Sequence, residues 1–204
     1  MTYKTFLILI SVYLFSSVSH AQKSNIWIEP EVGLSFVQDD LARIYGDFDP
    51  RQYISNSVKF SLRPKLFYQW NERFWLGGHL GYAFEFASLE NQSDIELSNY
   101  KIGLQARYDI MRIFTGFQLY TEIGGNYNFL TASNNTDESY AKLYTDLGLK
   151  FNFSEKLYAA LIFKDIVSYH SNDINFRNRE DLEIANPFKE FIEFPFFAVG
   201  FRLD

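Results

Sequence analysis

Strict two-residue alternation of apolar and polar side chains, kept up over long runs, restricts this chain more than any other feature. Over residues 26–36 the even positions are Ile26, Ile28, Pro30, Val32, Leu34 and Phe36, while the odd ones are Trp27, Glu29, Glu31, Gly33 and Ser35. Over 58–70, Val58, Phe60, Leu62, Pro64, Leu66, Tyr68 and Trp70 oppose Lys59, Ser61, Arg63, Lys65, Phe67 and Gln69. The pattern returns over 74–87, 98–110, 117–129, 140–153 and 194–203, with a weaker run at 157–167. Side chains fall on two opposite faces with period two only in a β-strand, and a helix would scatter both sets around its axis. The chain is expected to be all-β, with eight strands.

Runs of about ten to fourteen residues are roughly twice the usual globular strand. They reach the nine to eleven residues that a tilted strand needs to cross hydrocarbon. The connectors alternate in length: 37–57, 88–96, 130–139 and 168–190 are long, and 71–73, 110–113 and 154–156 are short. Long loops then gather at one end and short turns at the other. This predicts an eight-stranded antiparallel up-and-down transmembrane β-barrel, with both termini on the short-turn, periplasmic side. Beyond the N-terminal segment no apolar run suffices for a spanning helix, so an integral chain of this sequence has to cross as a closed sheet.

Alternation alone leaves open which face is inside, since a soluble eight-stranded barrel has the same period. Glycine separates the two. Gly33, Gly77, Gly81, Gly103, Gly116, Gly124, Gly148 and Gly200 fall on the polar face, and Gly78 and Gly125 on the apolar one. The lumen of eight strands barely admits side chains, so the face that mixes glycine with charges fits inside and the bulky apolar face meets lipid. Aromatic residues make up 19% of the chain, enough to supply two belts at the strand ends. Tyr68, Trp70, Phe74, Tyr108, Phe117, Phe151, Phe153 and Phe201 belong to the short-turn rim, and Tyr82, Phe84, Phe86, Tyr100, Tyr127 and Phe129 to the loop rim.

Residues 1–21 read as a cleaved signal peptide: Lys4, an apolar run over 6–18, then Ser19 and Ala21 as the small residues before the cut. Residues 22–204 then form one barrel domain. The absence of cysteine excludes disulfides and thiolate chemistry. A net charge of -6 argues against a nucleic-acid partner.

These runs together resemble the small eight-stranded outer-membrane barrels of Gram-negative bacteria, and the Ala21–Gln22 junction is similar to those of the Bacteroidota. The resemblance implies a porin-like fold in the bacterial outer membrane, acting as a monomer among outer-membrane lipid and lipopolysaccharide. It also implies reading of the last strand by the barrel-assembly machinery, a signal that Gly200-Phe201-Arg202-Leu203 matches in part.

The polar face carries the candidate site: Glu29, Glu31, Lys59, Arg63, Lys65, His79, Glu85, Lys101, Arg107, Glu122, Lys142, Asp146, Lys150 and Arg202, with Lys164 beside them. Charges of both signs in a narrow lumen have to pair, which makes a salt-bridge plug, or else a proton or ion path through a gap in it. His170-Ser171-Asn172 resembles in part the active site of lipid A deacylases, but adjacent residues of a strand point to opposite faces, so His170 and Ser171 are poorly placed to share a proton. Asp39, Asp40, Asp47 and Asp49 lack the spacing of a calcium loop. Asn91-Gln92-Ser93 matches a glycosylation acceptor that has little meaning in a bacterial chain. No catalytic, cofactor or metal set emerges. The expected role is non-enzymatic, with loops 38–57 and 168–190 meeting a partner. The alternatives are a lipid A-modifying enzyme using His170 or His79, and a narrow channel.

Overall fold

A computed structural model describes residues 25–35, 54–89, 95–133, 137–171, 181–184 and 196–203. The strands are β1 (Ile26–Ser35), β2 (Ile54–Gln69), β3 (Phe74–Leu89), β4 (Ile95–Phe114), β5 (Phe117–Ala132), β6 (Asp137–Ser154), β7 (Leu157–Ser171), β8 (Asp181–Ile184) and β9 (Phe196–Arg202). From β1 to β7 each strand pairs antiparallel with the next, and β9 pairs with both β7 and β1, so the sheet closes on itself. Eight strands form the closed wall, as the alternation predicts.

Short turns have recognisable chemistry. Asn71 Oδ1 accepts from the backbone N–H of Arg73 at 2.9 Å and of Phe74 at 2.8 Å, which closes the β2–β3 turn. The β4–β5 turn sits at Thr115-Gly116, beyond the expected 110–113, because β4 continues to Phe114 and the glycine takes the positive φ of 87° that the reversal requires. Gly116 is thus a turn residue rather than one of the inward-facing glycines. Two prolines sit opposite each other, Pro30 on β1 and Pro64 on β2. The β1–β9 ladder skips Glu29 and Pro30, and the β2–β3 ladder skips Arg63 and Pro64, as follows where proline supplies no N–H.

The connector expected at 168–190 is displaced along the chain and carries a short strand. β7 runs on to Ser171, and β8 pairs with its Val167–His170 segment. Among the described residues β9 flanks β7 from Leu157 to Ile162, and β8 pairs with the outer segment of β7. A bulge at 164–166 explains why the seventh run reads weakly. Thr145 pairs with Val167 and Leu147 with Phe163, so Asp146 alone faces three residues. Asp165 adopts a φ of 57° there, and its N–H donates to Asp146 Oδ1 at 2.8 Å.

Burial is inside-out relative to a soluble protein. Leu104 is 75% exposed and Ile123 61%, whereas Glu29, Arg107, Glu122 and Asp146 are fully buried. Glycine on the inner face makes room for rings. A Cβ on Gly148 would stand 2.0 Å from Tyr120 Cζ, and one on Gly200 2.1 Å from Tyr158 Cζ.

Candidate functional site: the barrel interior

Inward-facing residues stack in layers along the lumen. Nearest the short turns, Trp27, Phe67, Trp75, Tyr120, Tyr158, Ala160, Ile162 and Ala198 form a buried cluster with Phe196 against it. The Trp27 ring lies 5.2 Å from Trp75 and 5.3 Å from Tyr158. Asp109 Oδ2 accepts from Trp75 Nε1 at 3.2 Å and from Lys150 Nζ at 2.7 Å, which pins this layer to β4 and β6.

The ionic layer follows. Arg107 donates to Glu29 Oε2 and to the Tyr158 hydroxyl, each at 2.6 Å, and its Nε donates to Glu122 Oε1 at 2.9 Å. The Tyr158 hydroxyl in turn donates to Glu29. Lys65 reaches Glu29 at 2.9 Å, Glu31 at 2.7 Å and Glu122 at 2.9 Å. Arg63 binds Glu31 at 2.7 Å and Asp146 at 3.4 Å, and Lys164 binds Asp146 at 2.7 Å and Glu31 at 3.1 Å. Four cations and four carboxylates from β1, β2, β4, β5, β6 and β7 thus form one electrically balanced cluster across the lumen. Phe67 and Tyr120 hold the Arg107 guanidinium from 4.3 and 4.4 Å. Burial of this many ions is tolerable only because each has several opposite partners.

Other expected members lie elsewhere. Lys142 pairs with Asp165 at 2.7 Å, nearer the loops. Lys59 and Glu85 are opposite each other in the β2–β3 register, and Lys101 is opposite Asn128. His79 is buried in the lumen with its ring 6.2 Å from that of Tyr144. Arg202 lies at the short-turn end, 6.0 Å over the Trp27 ring. Asp109, Asp165 and Tyr158 take part in the contacts without having been singled out. Asp109 and Tyr158 follow the period of their strands, but the bulge hides Asp165.

Nearer the loops, Tyr144 donates to Gln105 Oε1 at 2.9 Å, and Leu97, Leu130, Ala132 and Tyr140 form a small apolar cluster. His170 is not a loop residue. It lies on β7, buried, with Nε2 3.2 Å from the hydroxyl of Ser168. Asp39, Asp40, Asp47, Asp49, Asn91, Gln92, Ser93 and Asn172 lie outside the described residues. Among the described residues no group of three or more His, Asp or Glu side chains is placed to hold a metal ion.

No protein-family model and no curated protein matches the chain. Among solved structures, Neisserial surface protein A is similar at 11% identity over 90% of this chain and 100% of its own, with a TM-score of 0.48. Outer membrane protein W of E. coli is similar at 10% identity, over 89% of this chain and 99% of its own, with a TM-score of 0.46. Ail, the attachment invasion locus protein of Yersinia pestis, crystallised with the heparin analogue sucrose octasulfate, shares 17% identity over 89% of this chain and 100% of its own, with a TM-score of 0.44. The closed antiparallel sheet, its apolar exterior and its ionic interior make this chain a transmembrane β-barrel of the bacterial outer-membrane type.

Proposed function

We propose that residues 22–204, freed of a signal peptide at 1–21, act in the outer membrane as a sealed monomeric barrel. In this reading it holds its long loops at the cell surface for a structural or binding role. The short turns and both termini face the periplasm, and the apolar wall meets lipid and, on the outer leaflet, lipopolysaccharide. The balanced ionic cluster carries this reading. An eight-stranded lumen has room for little beyond its own side chains, and here they bind one another across its width. The aromatic layer beneath closes what the charges leave. A plug of this kind ties six strands together and so stiffens the wall from which the loops spring.

Single-channel recording on the refolded full chain in planar bilayers tests it. Inserted protein should show no discrete conductance steps, and steady steps would reject the sealed barrel in favour of the channel.

A further inference from the structure

On the outward face of the wall one arrangement of polar side chains occurs twice towards the loop end. The Tyr82 hydroxyl of β3 lies 3.3 Å from Ser98 Oγ of β4, and the Tyr127 hydroxyl of β5 lies 2.9 Å from Ser139 Oγ of β6. Tyr82 is directly opposite Tyr100 and Tyr127 directly opposite Ala141, so each serine stands diagonally from its tyrosine, two residues nearer the loops. Two residues beyond each serine comes an exposed carboxylate, Glu96 on β4 and Asp137 on β6. Below both lies the apolar level of Leu104 and Leu143, each more than half exposed. Lys101 and Lys142, the lysines of β4 and β6 in this stretch, have the inward parity. In each Tyr–Ser pair one proton bridges the two oxygens, which leaves the other to donate outward. At about 3.3 Å per residue and a tilt of about 40°, Ser98 stands about 15 Å and Glu96 about 20 Å above Leu104 along the membrane normal. Half a hydrocarbon core is about 15 Å thick. The hydroxyls thus sit where hydrocarbon ends, and the carboxylates just beyond.

We infer that these are two equivalent seats for a zwitterionic phospholipid with a primary ammonium headgroup, phosphatidylethanolamine, in the leaflet at the loop end. The acyl chains lie against the apolar level, the free hydroxyl proton of the Tyr–Ser pair goes to a phosphate oxygen, and the ammonium donates to Glu96 or Asp137. Apolar, donor and carboxylate follow one another up the wall in the order in which acyl chain, phosphate and ammonium follow one another along the lipid. A phospholipid without the ammonium fits the first two levels and meets an unmatched negative charge at the third. Continuity with the lipid-facing wall makes the occupant a lipid rather than a soluble cation. The inference goes beyond the sealed-barrel reading and uses only the outward wall, so a silent or a conducting lumen leaves it standing.

The test is native mass spectrometry of the refolded full chain released from detergent micelles that contain equimolar phosphatidylethanolamine and phosphatidylglycerol. The chain should retain phosphatidylethanolamine, up to two molecules, in preference to phosphatidylglycerol by about fivefold, the reach of one exposed ion pair. Glu96→Gln with Asp137→Asn should remove the preference. Tyr82→Phe with Ser98→Ala should lower the limit from two retained molecules to one. Resistance of the folded barrel to dodecyl sulfate at room temperature verifies that each variant folds. Equal retention of the two lipids by the unaltered chain, or a preference that survives loss of both carboxylates, would overturn the inference. So would retention of added lipopolysaccharide in place of phosphatidylethanolamine, which would assign the face to an anionic glycolipid.

Discussion

Arg107 makes clear why an arginine can sit in the middle of a barrel. It has two carboxylates and a phenol as acceptors and the rings of Phe67 and Tyr120 against it, so little of its charge goes uncompensated. Replacing it with Met leaves Glu29 and Glu122 to share Lys65. Removing one partner of a buried pair typically costs about 3–5 kcal/mol, and Arg107→Met should lower the urea midpoint of the barrel in lipid vesicles accordingly. An unchanged midpoint would mean that the ionic layer adds no stability. Gly148 tests fit in place of charge. Because a Cβ there would overlap Tyr120, Gly148→Ala should lower the yield of folded barrel, and Gly148→Ala with Tyr120→Ala should recover it. Failure of that rescue would place the fault in the backbone rather than the ring. Which residues face inward was legible in the sequence, because period two sorts Glu29, Lys65, Arg107 and Glu122 onto one face. Which of them touch was not: Arg107 meets Glu29 from a strand 78 positions away in the chain, and that depends on the shear with which the sheet closes.

Among the elements, β7 departs furthest from its sequence pattern. Its bulge sets Lys164 and Asp165 side by side near Asp146, and the left-handed backbone at Asp165 is one that aspartate tolerates and β-branched residues resist. Two effects can be separated there. Asp165→Gly loses the ion pair with Lys142 but keeps the backbone at ease, whereas Asp165→Val loses the pair and adds the strain of a left-handed residue, about 1–2 kcal/mol. The valine variant should therefore unfold at a lower urea concentration than the glycine variant, and equal midpoints would refute backbone strain as the cause. β8 left no trace in the alternation because its four residues span too few periods. It pairs with the outer segment of β7, Val167 to His170, whereas the described part of β9 pairs with Leu157 to Ile162. The bulge, which interrupts the alternation before Val167, explains why His170 reads as a loop residue in the sequence although it stands on β7 in the wall of the barrel.

Across the whole molecule, the partition of side chains runs opposite to that of a water-soluble domain, and the solvent outside has to be hydrocarbon. Leu80, Leu104, Ile123 and Leu143 are exposed at mid-strand on the adjacent strands β3 to β6, and the rings of Tyr68, Trp70, Phe117 and Phe153 lie towards the short-turn rim. Lipid then supplies the apolar environment that a core supplies elsewhere, and the cost of a misplaced charge should depend on depth. Arginine on the lipid face costs about 2–4 kcal/mol at the midplane and about 0–1 near the interface. Leu104→Arg, in the middle of β4, should accordingly reduce the free energy of insertion into vesicles by the larger amount. Tyr68→Arg, close to the β2–β3 turn, should change it little. The difference between the two variants reads membrane depth directly from folding equilibria in urea. Similar losses at both positions would mean that the apolar face is not graded by a bilayer.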